Sequence, residues 1–186
     1  MKGALVACSA LALLLSAGPV SALEHQHHLG LDPSLSMLKV DDKSTMSVGC
    51  GIGAHYTYDV DDQFLFLAEL NVSRVAADQQ QDFPESPRTR PADVAYATAG
   101  IGYVIDVMRF VPYLGVLAGG YRLSGGTLDG PLIIPGAEAG VGLDYQITRH
   151  FTAGVGGRQH FLLTRMSTYP TYTTVQLRFE YVWGGP

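Results

Sequence analysis

The sequence has 186 residues, 47% hydrophobic and 16% charged, with 22 Gly, 10 Tyr, 7 Phe, 1 Trp and a formal charge of −5. That is one domain's length of chain, and its glycine and aromatic content excludes a disordered polymer. The acidic balance argues against nucleic acid as a partner, and no apolar run beyond residue 22 is long enough for a spanning helix, so any membrane would be crossed by strands.

Residues 1–22, MKGALVACSALALLLSAGPVSA, carry Lys2, an apolar stretch from Ala4 to Leu15, a Gly18-Pro19 break and the small-x-small Val20-Ser21-Ala22. This is the pattern of a cleaved secretory signal, which leaves residues 23–186 as one domain starting at Leu23. Cleavage removes Cys8 and leaves Cys50 alone, so no internal disulfide is expected. Glu24, His25, His27 and His28 make a His-rich start to the mature chain. Neighbouring histidines without a rigid frame rarely define a coordination geometry, so a mobile end is expected there, with no metal and no cofactor.

From this point hydrophobicity alternates with period two, the signature of strands with one apolar face. Between Thr45 and Tyr58, Met46, Val48, Cys50, Ile52, Ala54, Tyr56 and Tyr58 oppose Ser47, Gly49, Gly51, Gly53, His55 and Thr57. The same alternation marks Val94–Ile105, Gly136–Tyr145 and Thr173–Trp183, and in weaker form His28–Lys39, Phe64–Arg74, Phe110–Arg122 and His150–Leu163. Eight strands are therefore expected; in Phe110–Arg122 either face could be the apolar one. Asp59–Asp62, Asp106–Arg109 and Ile147–Arg149 are tight turns, whereas Lys39–Ser44, Ala76–Asp93, Leu123–Ile133 and Thr164–Tyr172 are solvated loops. Turns on one side and loops on the other describe an up-and-down meander.

The aromatics decide which face meets lipid. Tyr56, Tyr58, Phe64, Phe66, Tyr103, Phe110, Tyr145, Phe151, Tyr181 and Trp183 lie on the apolar face near a short turn or the chain end. A soluble core has no reason to gather aromatics at one height, whereas a lipid interface does. The opposite face carries many glycines with Glu69, Asn71, Glu138, Asp144, Arg158, His160, Arg178 and Glu180, a polar lumen with a charge network of Glu69, Glu138, Arg158, Arg178 and Glu180. The expected fold is all-β, a closed eight-stranded antiparallel up-and-down transmembrane β-barrel, since closure satisfies every backbone donor in hydrocarbon. A three-residue turn at Ile147–Arg149 would set Glu138 opposite Arg158 as a cross-strand ion pair, with Arg178 and Glu69 as alternative partners.

The signal, the eight strands, Pro112-Tyr113-x-Gly115 and a last strand ending Phe179-x-Tyr181-x-Trp183 resemble the small outer-membrane β-barrels of Gram-negative bacteria, of the OmpA/OmpX and opacity-protein type. The resemblance implies a monomeric barrel in the outer membrane with both termini periplasmic. Its implied partners are outer-membrane lipid, lipopolysaccharide and, during biogenesis, the barrel-assembly machinery. The chain departs from the pattern in Gly184-Gly185-Pro186 after Trp183 and in having no peptidoglycan-binding domain after the barrel. Three roles stay open: a structural or surface-interaction protein, a narrow channel for ions or small solutes, and a lipid-modifying enzyme. The last would need Ser and His together on the outer wall, whereas His55 and His160 face inward by phase and no Ser neighbours His150, so no catalytic residue is assigned. Loop 76–93 is a candidate for a surface ligand, with Arg88 and Arg90 placed for acidic lipopolysaccharide headgroups.

Overall fold

A computed structural model describes residues 25–40, 46–76, 90–105 and 109–185. The leader, Glu24, Arg88 and most of loop 76–93 lie outside the described residues. Eight strands run β1 (Gln26–Lys39), β2 (Met46–Asp59), β3 (Phe64–Val75), β4 (Asp93–Val104), β5 (Phe110–Ser124), β6 (Leu132–Gln146), β7 (Phe151–Leu162) and β8 (Thr171–Gly184). Each pairs antiparallel with its neighbours in sequence, and β1 pairs with β8, which closes the barrel. The first and last described residues share one end with the short turns, where the Gly185 N–H donates to the His25 carbonyl.

The period-two pattern sorts the side chains. Leu31, Ile52, Leu70, Ile101, Val116, Val141 and Phe179 stand exposed on the outer wall, while Asp32, His55, Glu69, Glu138, Arg158, Arg178 and Glu180 are buried inside. All ten aromatics expected near the turn end stand on the outer wall, with Phe64 against Tyr103, Phe110 against Tyr145, and Phe151 against Tyr181 in ring contact. Cys50 is exposed on the same wall.

Three expectations need correction. The β6–β7 turn spans Ile147 to His150, because the Thr148 hydroxyl accepts from the N–H groups of His150 and Phe151 and the Ile147 N–H donates to the Phe151 carbonyl. The wider turn moves the register by two, so Glu138 lies opposite His160, and Arg158 opposite Gly140. The His-rich start is not loose: His27 and His28 are paired between β2 and β8, and the His27 ring stacks on Trp183 at 5.4 Å. The interior is not only polar. Leu38, Val75, Val94, Leu123, Ile134, Leu162 and Tyr172 form an apolar cluster at the loop end, and Leu65, Leu67, Val104, Tyr113 and Leu117 another toward the turn end. These clusters settle β5, whose Tyr113, Leu117, Tyr121 and Leu123 point inward.

Candidate functional site

The barrel interior holds the ionisable side chains, and its geometry follows from which strands face each other. β3 and β7 are four places apart in the eight-stranded ring, so they form opposite walls. Between them Arg158 Nη2 donates to Glu69 Oε1 at 2.6 Å and Nε to the same oxygen at 3.2 Å. The Arg158 stem crosses the space above Gly140, where a Cβ would collide with it. Arg158 also donates to the Tyr113 hydroxyl at 3.3 Å, and the Arg158 and Arg178 guanidinium groups lie 5.5 and 4.7 Å from the Tyr113 ring centroid. Tyr113 in turn occupies the space left by Gly142 on β6. Hydrogen-bonded charge pairs of this kind are the strong ones.

Glu138, expected to pair with Arg158, is held elsewhere. It accepts from Thr98 Oγ1 at 3.1 Å and from the Tyr121 hydroxyl at 3.2 Å, and it lies 2.9 Å from His160 Nδ1. His160 Nε2 meets Thr174 Oγ1 at 3.0 Å. The wider turn explains the change of partner, and Glu69 takes the place that the sequence reading gave it as the alternative for Arg158.

Toward the turn end a relay of alternating carboxyl and imidazole groups runs along β1, β2 and β8. Asp32 Oδ2 is 2.7 Å from His55 Nδ1, and His55 Nε2 is 3.0 Å from Glu180 Oε1. Glu180 Oε2 is 2.9 Å from His28 Nδ1, and His28 Nε2 is 3.0 Å from Asp59 Oδ2. A neutral imidazole offers one donor and one acceptor, and carboxylates only accept. Each ring between two carboxyl groups therefore implies one proton beyond a neutral ring between two carboxylates. Gly30 leaves room for the His55 ring, where a Cβ would overlap it. Arg178 closes the relay, with Nη2 at 2.8 Å from Glu180 Oε1 and Nη1 at 3.8 Å from Asp144 Oδ2.

Among the five residues named for the lumen network, the structure joins Arg158 to Glu69 and Arg178 to Glu180, and places Glu138 in a separate cluster. Sequence reasoning missed Asp32, Asp59 and His28. Asp32 sits at an even position of β1 in line with Ser34 and Ser36, a polar alternation that could have revealed it. By sequence Asp59 falls in a turn, and His28 falls where the His-rich start meets the first strand. Tyr113 and Tyr121 were hidden by the undecided phase of β5; a large residue beside a glycine on the next strand was the available signal. Arg90, expected to be displayed to lipid headgroups, is buried, its backbone bonded in both directions to Thr127.

No three His, Cys, Asp or Glu among the described residues are arranged to hold a metal ion. Two of the buried serines have partners other than an imidazole: Ser34 accepts from Asn71 Nδ2 at 3.0 Å, and Ser73 lies 3.2 Å from the Tyr172 hydroxyl. At the loop rim a cleft of about 360 Å³ is lined by Leu128, Asp129, Leu132, Arg165, Thr168 and Tyr169.

Residues 8–182 match the model of a family described as outer membrane protein beta-barrel domain. No curated protein sequence matches the chain. Among solved structures, Neisserial surface protein A is similar at 16% identity and a TM-score of 0.62, over 86% of this chain and 98% of that one. Ail, the attachment invasion locus protein of Yersinia pestis, is similar at 17% identity and 0.55, over 86% and 99%. The outer membrane protein OprG from Pseudomonas aeruginosa gives 12% and 0.53, over 88% and 99%. At these identities the likeness concerns the fold alone.

Proposed function

Because the chain belongs to the outer membrane protein beta-barrel domain family, we propose that it is a non-enzymatic wall-and-loop protein of the bacterial outer membrane: a monomer with a closed interior, whose loops provide a surface for interaction. The observation that carries this reading is the Arg158–Glu69 pair, which joins opposite walls at 2.6 Å with both side chains almost fully buried. Apolar clusters toward each end support the same conclusion, because eight strands enclose about the width that side chains can fill. A non-enzymatic role is supported by the engagement of His55 and His160 with interior carboxyl and hydroxyl groups, away from the wall that an acyl chain would touch.

The loops face outward and the termini the periplasm. In support, the aromatic wall lies at the turn end and exposed Arg74 and Arg122 at the loop end. Outer-membrane lipid and lipopolysaccharide surround the wall, and the barrel-assembly machinery inserts it. Loop 76–93 and the neighbouring rim cleft are the places where a surface ligand would dock. Labelling intact cells with an impermeant maleimide tests the orientation: Asp129→Cys should react and Asp62→Cys only after permeabilisation, and the reverse would contradict it. Osmotic swelling of proteoliposomes tests the closed interior. No uptake of small sugars is expected, and swelling would favour the solute channel.

A further inference from the structure

The two ends of the outer wall differ in chemistry. On β3 the outward positions run Phe64, Phe66, Ala68, Leu70, Val72, Arg74, and on β5 they run from Phe110 through Leu114, Val116, Ala118 and Gly120 to Arg122. From Phe64 to Arg74 the strand covers about 34 Å, or about 26 Å of height at a tilt of roughly 40°. From Phe110 to Arg122 the height is about 31 Å on the same basis. The apolar band of such barrels is about 25 Å tall. Both arginines therefore stand one hydrocarbon thickness from the aromatic belt, at the level of the lipid headgroups around the loop end.

They also stand close together. Arg74 pairs in register with Asp93, and Asp93 with Ser124, so Arg122 lies two strands across and two residues along. Strand spacing and rise put their Cα atoms roughly 12 Å apart, within reach of two arginine side chains closing on one headgroup. The Arg74 side chain is 83% exposed; its Nε lies 3.9 Å from Asp93 Oδ1, beyond hydrogen-bonding distance. Arg122 is exposed and has no ion pair among the described residues. Below them the wall is low, formed by Ala95, Ala97, Ala99, Ala118 and Gly120, and a Cβ added at Gly120 would meet nothing.

We propose that Arg74 and Arg122 form a clamp on the outer wall for a lipid whose headgroup bears phosphate monoesters. A phosphomonoester carries up to two negative charges and presents oxygens that match the guanidinium fork, which suits two arginines set against one aspartate. The phosphodiester of an ordinary glycerophospholipid carries one charge and binds less. The clamp rests on the proposed orientation only in which leaflet supplies the lipid.

The test is native mass spectrometry of the folded barrel in neutral detergent, with diphosphoryl lipid A, the same lipid after phosphatase treatment, and phosphatidylglycerol as probes. Diphosphoryl lipid A should be retained, at one molecule per barrel, and the other two much less. At about 1 kcal/mol for each basic residue at an anionic lipid surface, Arg74→Gln and Arg122→Gln should each weaken retention about fivefold. Paired Arg→Lys variants should retain part of it, Gly120→Phe should lower it by raising the wall, and Arg109→Gln at the turn end should leave it unchanged. Heat-dependent mobility on gels verifies that each variant is folded. Equal retention by the double Gln variant, or of the phosphatase-treated lipid or phosphatidylglycerol, would overturn the clamp. Binding is read in detergent, so its failure is distinct from a failure of the cell-labelling experiment.

Discussion

Truncating Glu69 should cost more than truncating Arg158, although both break the same pair. In Glu69→Ala the guanidinium keeps only the Tyr113 hydroxyl at 3.3 Å and two backbone carbonyls at 3.4 and 3.5 Å. It also still shares the Tyr113 ring with the Arg178 cation. Stranding one member of a buried pair costs about 3 to 5 kcal/mol, and this neighbourhood puts Glu69→Ala near the upper end, at about 4 to 5 kcal/mol. Arg158→Ala leaves the carboxylate beside Thr98 and His55 in the adjoining registers, where about 3 kcal/mol is expected. The double variant strands no charge and should cost about 5 kcal/mol, a coupling of about 2 to 3 kcal/mol, high for contacting residues. Urea unfolding of the barrel in lipid vesicles, followed through Trp183, the single tryptophan, measures all four corners. Additivity within about 0.5 kcal/mol would mean that the two charges are hydrated separately, and would refute the Arg158–Glu69 pairing across the barrel. The cycle on Glu138→Ala and Arg158→Ala should show weak coupling, because Glu138 is held by His160, Tyr121 and Thr98.

Gly140→Ala places a methyl against the Arg158 stem and should cost about 1 to 3 kcal/mol as overpacking, whereas Gly157→Ala, where an added Cβ meets nothing, should be near neutral in the same assay. Val175→Arg on the outer wall, 44% exposed, should cost about 2 to 4 kcal/mol in a bilayer. The same charge at Thr174, which is fully buried and bonded to His160, would displace that bond, so both variants should unfold earlier than the parent. His55→Gln removes the imidazole link between Asp32 and Glu180 and should destabilise by about 1 to 3 kcal/mol; an unchanged unfolding midpoint would mean that the relay does not hold the turn end together.

Much of the barrel was legible because period-two hydrophobicity and the placement of aromatics are local signals. Met46 to Tyr58 announces its two faces residue by residue, and β2 takes that phase. What local pattern cannot carry is register. Pairing Gln146 with Thr152 in place of His150 exchanged the partner of Arg158 from β6 to the far wall, and the Thr148 hydroxyl bonds hold that turn. Phase failed where both faces are apolar: Tyr113, Leu117 and Tyr121 of β5 fill interior clusters while Leu114 and Val116 meet the outside, so hydrophobicity alone does not distinguish them. His28 and Asp59 were misread for a different reason. Their roles exist only through contacts 31 residues apart with each other and 152 residues away with Glu180, which no window along the chain contains.

Whether paired charges and apolar clusters close the interior to ions is decided by planar-bilayer recording of the refolded protein beside the Glu69→Ala, Arg158→Ala double variant. No steady ionic current is expected from the parent, and brief openings are expected from the variant that lacks the cross-wall pair. A sustained current through the parent, unchanged by removing the pair, would contradict that closure.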